Sequence, residues 1–199
     1  MRQPWNEHAV ACGLQAGDRD AWALLFEHHS ERVWRYVARL IGGDRAGVAD
    51  IVQETFLAAA QSARSYQPDR GTLGQWLLGI AHRQTAQHRR RFDRALNSSG
   101  NETIASIIGR DVEPAAWLEQ RELADIVRHV LTELPADYAV LLVGKYSDGR
   151  SVEELVTEHG GTTESVRSKL ARARREFQSV FERFTKPCQP SAATTPKPH

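Results

Sequence analysis

Between Thr163 and Arg175 two kinds of residue alternate at helical spacing. Val166, Leu170 and Ala173 fall on one stripe, while Thr163, Glu164, Arg167, Ser168 and Arg172 lie on or near the opposite face. Lys169, Arg174 and Arg175 add positive charge. A helix of this kind is held on a scaffold by its apolar stripe and offers its polar side to a partner. Arg and Lys reach phosphate oxygens or guanine edges in a major groove, and small residues such as Ser168 and Ala171 permit close approach. A second basic group gathers Arg83, Arg89, Arg90 and Arg91, and the stretch between the two, Arg110 to Glu164, is acidic. The net charge of +1 therefore hides two basic patches. Their separation suggests two contacts with a polyanion. Solvated helix faces are the plainer alternative.

Other chemistry finds little support. There is no Gly-rich phosphate loop after a strand, no nucleophile elbow and no HExxH. Glu153 and Glu154 are adjacent, so on a helix they point apart and cannot act as a catalytic pair. His28, His82 and His88 lack Cys or carboxylate neighbours at metal spacing, so no metal and no cofactor is expected. His29 shares a face with Leu25 and Val33, which predicts a buried side chain. Cys12 and Cys188 stand near opposite ends without CxxC spacing, which fits a reducing cytoplasm. With 41% hydrophobic and 26% charged residues and no apolar run of membrane-spanning length, a soluble protein is expected. Met1 to Leu14 lacks the apolar core of a secretory signal.

The elements that must position these residues read as helices. Asp18–Leu40 carries Trp22, Leu25, Val33, Tyr36, Val37 and Leu40 on one face, and Gly42-Gly43 stops it. Val48–Arg64 carries Val48, Val52, Phe56, Ala59 and Ala63. Residues 66–71 punctuate the chain with Pro68 and Gly71, and Thr72 can cap a third helix with Leu73, Trp76, Leu77 and Ile80 inward. That helix runs into His88-Arg89-Arg90-Arg91. Periodicity fades over 92–116 and returns at Leu118, Leu123, Ile126, Val127, Val130, Leu131 and Leu134. Pro135 opens the next helix. Ser151-Val-Glu-Glu154 has the form of a capping box, and Gly160-Gly161-Thr162 separates its short helix from the basic one. Ser151–Arg175 thus reads as a helix-turn-helix. The fold class expected is all-α: two small helical domains joined by a flexible linker, the C-terminal one a helix-turn-helix.

Two ordered blocks resemble a known family. Asp50-Ile-Val-Gln-Glu-Thr-Phe56, Arg70-Gly71 and Trp76-Leu-Leu-Gly-Ile-Ala81 resemble the first conserved domain of bacterial sigma factors. Leu134-Pro135, Tyr146-Ser-Asp-Gly-Arg-Ser151, Glu154-Leu155 and Val166–Arg174 resemble their promoter-reading C-terminal domain. Order and separation match the extracytoplasmic-function group over roughly residues 18–184. The resemblance implies an N-terminal extension (1–13), a region 2 domain (14–92) for core polymerase and the minus-ten element, and a linker (93–117). It further implies a region 4 domain (118–184) for the minus-thirty-five element, followed by a disordered tail (185–199). It implies that Asp50, Gln53, Glu54 and Leu57 dock on core RNA polymerase. Tyr66, Gln67 and Arg70 would receive an unstacked base of promoter DNA, although Tyr66 could equally pack at a rim, and Arg83 and Arg89–Arg91 would hold the backbone. An anti-sigma factor is a further implied partner, which no segment identifies. A monomer is expected when free, and no catalysis. His159 and Gly161 stand where the family usually has apolar residues, so a looser turn is expected; Arg83 and Gln87 stand where Asn and Asp are frequent, so the detailed promoter preference is expected to depart from the family's. A helix-turn-helix activator or repressor that does not replace the sigma subunit is the rival, but it leaves the Asp50–Ala81 blocks without a role.

Overall fold

The computed structural model describes residues 5–98 and 115–185, and among these every regular element is helical. A first bundle contains α1 (Glu7–Ala16), α2 (Arg19–Ile41), α3 (Arg45–Ser62) and α4 (Leu73–Ser98). A second contains α5 (Ala115–Glu133), α6 (Ala136–Leu142), α7 (Val152–His159) and α8 (Thr163–Thr185).

Short polar side chains start most of these helices by taking up orphan amides. Asn6 accepts from Ala9 N, Asp18 from Asp20 N and Asp44 from Gly47 N. At α4 the box is reciprocal. Thr72 Oγ1 accepts from Gln75 N at 3.2 Å, and Gln75 Oε1 accepts from Thr72 N at 2.9 Å. The first core is built on the expected faces of α2 and α4, with Leu25, Val37, Leu40, Leu73 and Leu77 fully buried. On α3 the buried stripe is Val48, Ile51, Val52, Thr55 and Ala59. Phe56, expected inward, is only half-buried. Thr55 and Thr85 enter the core without leaving a bare hydroxyl, because each donates to a carbonyl one turn back, Ile51 O and Ala81 O.

In the second bundle Val130, Leu134, Leu141, Leu155, Val166, Leu170 and Ala173 close a separate core. The capping box is formed: Ser151 Oγ accepts from Glu154 N at 3.0 Å, and Glu154 Oε2 accepts from Ser151 N at 2.7 Å. Ser151→Ala is expected to cost about 1 kcal/mol and to lower the unfolding midpoint by about 2–4 °C in a calorimetric scan. An unchanged midpoint would remove the box as a source of stability.

Three features depart from the sequence reading. The stretch expected as a bare extension supplies a docked helix, α1, which buries Val10, Ala11 and Leu14. The linker expected over 93–117 is helical at both ends, since α4 reaches Ser98 and α5 starts at Ala115; residues 99–114 lie outside the described residues, as do 186–199 of the expected tail. The two bundles also touch. Val140 and Val143 of the second are buried in the core of the first, and Leu131 packs on both. Fully burying such a side chain is worth about 1.5–3 kcal/mol.

Candidate nucleic-acid interface

The turn before α8 is made by two glycines in the left-handed region, Gly160 at φ 70° and Gly161 at φ 86°. An L side chain is strained at such angles, so this tight reversal calls for glycine at both positions. Thr162 then caps α8: its Oγ1 accepts from Ser165 N at 3.1 Å, and Ser165 Oγ accepts from Thr162 N at 3.0 Å. Sequence reading missed this cap because Ser stands where a capping box normally has Glu or Gln. Val166, Leu170 and Ala173 are buried as expected, and Glu164, Arg167, Ser168, Arg172, Arg174 and Arg175 are exposed. Thr163 and Lys169 are half-buried; Lys169 Nζ lies 3.2 Å from Asp137 Oδ2. Arg174 donates to Tyr146 Oη at 3.0 Å. Arg167 and Arg172 have no ion-pair partner among the described residues.

The other basic group does not act as one set. Arg83, Arg90 and Arg91 are exposed, and Arg91 lies 3.7 Å from Glu54. Arg89 instead turns toward α5, donating to His129 Nδ1 at 2.9 Å and to Asp125 O at 3.4 Å. In this conformation it is not available to a DNA backbone.

Tyr66 is the clearest correction. It is 6% exposed, its ring centroid is 5.5 Å from that of Trp76, and its hydroxyl donates to Gly71 O at 3.0 Å and to Glu7 Oε1 at 3.3 Å. Burial first, and then Glu7, push its pKa up to about 12. A ring so enclosed has no face on which a base could stack. It pins the 66–71 loop instead, helped by Glu7 Oε1, which also accepts from Leu73 N. Gln67 and Arg70 remain exposed on that loop.

On α3, Asp50, Gln53 and Leu57 are exposed and Glu54 is half-buried, which leaves the expected docking side chains off the core. Gln53 and Leu57 border an apolar groove of about 670 Å³ that periodicity did not reveal. Phe26, Trp34 and Phe56 line it, with Phe26 53% and Leu57 56% exposed and the two Phe rings 4.9 Å apart. Phe26 and Trp34 could have been found as large apolar residues of α2 that the buried stripe does not use.

His29 is buried as expected, edge-on to Trp5, and burial, then the charges of His28 and Arg32, lower its pKa to about 4. Among the described residues no three His, Cys, Asp or Glu side chains come together as a metal site. No described helix is long and apolar enough to cross a membrane.

The geometry is that of a helical bundle with an exposed face that joins polar side chains to an apolar groove, followed by a helix-turn-helix with a basic free side. Residues 25–95 match the family model for Sigma-70 region 2. The chain is 28% identical over 182 residues to the ECF RNA polymerase sigma factor SigE of Mycolicibacterium smegmatis, covering 92% of this chain and 69% of that protein. It is likewise 28% identical over 176 residues to the ECF RNA polymerase sigma factor SigL of Mycobacterium tuberculosis, covering 87% and 96%. Among solved structures, CnrH in complex with the cytosolic domain of CnrY aligns with 89% of this chain and 97% of its own at 22% identity and a TM-score of 0.45. Residues 25–95 thus match Sigma-70 region 2, and over most of its length the chain is similar to ECF RNA polymerase sigma factors.

Proposed function

We propose that this protein is an alternative sigma factor that binds core RNA polymerase and directs promoter-specific initiation, without chemistry of its own. The observation that carries the reading is the pairing, in one chain and in family order, of the 25–95 match with a capped helix-turn-helix whose Arg167 and Arg172 have no ion-pair partner among the described residues. In this reading residues 14–92 serve as region 2 and residues 118–184 as region 4. Asp50, Gln53, Glu54 and Leu57, with Phe26 beside them, dock on the polymerase. Gln67, Arg70, Arg83, Arg90 and Arg91 contact the minus-ten region, and Thr163, Arg167, Ser168, Lys169, Arg172, Arg174 and Arg175 the minus-thirty-five region. Phosphate contacts fix register and base contacts choose sequence. The protein works in the cytoplasm, where its polymerase is, as a monomer when free, and an anti-sigma factor is the partner expected to hold it inactive.

The test is run-off transcription from a genomic template library with bacterial core polymerase, with and without the protein. Discrete transcripts that need the protein are expected. Failure to bind core polymerase, or binding without specific starts, overturns the reading. Operator binding by a dimer in the absence of polymerase would favour an ordinary helix-turn-helix regulator.

A further inference from the structure

We propose that the free protein is self-masked: its two bundles latch together so that part of each DNA-reading surface faces one shared cleft, and polar contacts centred on three histidines hold that cleft shut. The inference rests on the reading of those surfaces given above.

The cleft has a volume of about 970 Å³. Gln67, Arg70 and Arg83 of the first bundle line one side, and Ser168, Lys169 and Arg172 of α8 the other. A recognition helix must lay its polar face into a major groove about 12 Å wide. A duplex presenting even one turn is about 34 Å long and cannot enter so small a space. The cleft also sets two arginines against a lysine and an arginine. Asp137 offsets only the lysine, at 3.2 Å. Like charges press the cleft open, so something must close it.

The closing contacts lie around it. Gln75 is fixed by its capping role, because its Oε1 is committed to Thr72 N. Its Nε2 therefore faces His159, donating to His159 O at 2.8 Å and to His159 Nδ1 at 3.1 Å. An amide nitrogen only donates, so that ring nitrogen must be bare and the imidazole neutral. His82 sits between bundles: its Nε2 donates to Leu134 O at 2.9 Å, which leaves Nδ1 to accept from Tyr36 Oη at 2.9 Å. His129 Nδ1 accepts from Arg89 Nε at 2.9 Å, again as a neutral ring. Arg32–Glu158 at 3.0 Å and Arg39–Asp148 at 3.5 Å complete the seam. His159, one of the departures from the family pattern, thus has a use in the closed state.

Each ring resists protonation where it lies. For His159 burial comes first, then Arg32 from α2 and Lys169 from α8, lowering its pKa to about 4, with Glu158 next to it on α7 already shared by Arg32 and Arg150. For His82 burial and Arg90 outweigh the Leu134 carbonyl and Glu133. For His129 burial and Arg89 outweigh Asp93 and Glu133, and Phe184 of α8 covers the ring. A lowered histidine pKa means that the closed state binds fewer protons than the open one. Its contribution to closure is full above about pH 6.5 and is lost as pH falls toward 4. For His159 alone, going from about pH 7.5 to 5 reduces the closed-to-open ratio about thirtyfold.

The experiment uses the full chain with Cys12 and Cys188 replaced by serine and dyes attached through Gln61→Cys and Glu176→Cys. Energy transfer is read near pH 7.5 and at about pH 5, with helicity followed by circular dichroism because His29 also titrates inside the first bundle. Glu158→Ala, and Gln75→Ala combined with it, are read near pH 7.5, so that the answer does not depend on acid. High transfer is expected for the parent near pH 7.5 and lower transfer in the variants and in acid. The variants should also bind a mixed-sequence duplex of about 30 base pairs several-fold more tightly and with a steeper salt dependence, as freed cations meet phosphates. Transfer unchanged in the variants, or lowered with no gain in duplex binding, overturns the masking. If transfer is unchanged but specific initiation persists, the masking alone falls. If the variants open and bind duplex but never start transcripts with core polymerase, the functional reading falls and the masking stands.

Discussion

Leu57→Asp is expected to weaken binding to core polymerase by about 2–4 kcal/mol, the size of an interface hot spot, while leaving helicity and unfolding midpoint unchanged. Leu57 is 56% exposed and borders the Phe26–Trp34–Phe56 groove, so its side chain does little for the core and much for a partner that covers the groove. Covering that groove removes apolar surface from water. An aspartate placed there would have to be desolvated without a counter-charge. Phe26→Asp should act alike, since Phe26 is as exposed and faces the same space. Glu54→Lys is more mixed, because it also breaks the 3.7 Å pair with Arg91. That pair is solvent-exposed on both sides and contributes at most about 1 kcal/mol to the fold. A titration of fluorescently labelled polymerase decides the matter. Unchanged affinity for both aspartate variants would mean that the groove is not where the polymerase sits.

Much of this structure was legible in the sequence because local rules and global packing agree. The stripes of α2 and α4, the Ser151–Glu154 box and the Gly160-Gly161 turn each follow from one element's own residues. What could not be read depends on residues distant in the chain. Tyr66 has the composition of a base platform, and Glu7, 59 residues away, joins Gly71 O and the Trp76 ring to make it a buried pin. Arg89 looks like its neighbours until His129 claims it, and Phe56, read as a core residue, packs its half-buried ring 4.9 Å from Phe26. Val140 and Val143 belong to α6 and the turn after it, yet they complete the first bundle's core. Periodicity finds an apolar face but not which neighbour will cover it, so two separate domains were the natural expectation and their contact was not.

The largest effects on DNA should divide between the two bundles. Arg167 and Arg172 are exposed on α8, opposite Val166 and Leu170, with no ion pair among the described residues to break before they reach a groove. If one makes a bidentate base contact, its replacement by alanine should cost about 1–3 kcal/mol and relax preference at one upstream position. Lys169→Ala should behave differently, because Lys169 is half-buried and already paired with Asp137; its loss should lower affinity evenly across sequences. In the first bundle, Arg90→Ala with Arg91→Ala should leave sequence choice intact and flatten the salt dependence, each lost phosphate contact removing about 0.9 from the slope of log affinity against log salt. Arg89→Ala should do neither directly, because its guanidinium is bonded to α5; its effect should run through the contact between the bundles. A promoter-library selection on the polymerase complex, repeated at several salt concentrations, separates these outcomes. Upstream preference unchanged in both Arg167→Ala and Arg172→Ala, or upstream choice altered by the Arg90/Arg91 pair, would show that the two bundles do not divide promoter reading in this way.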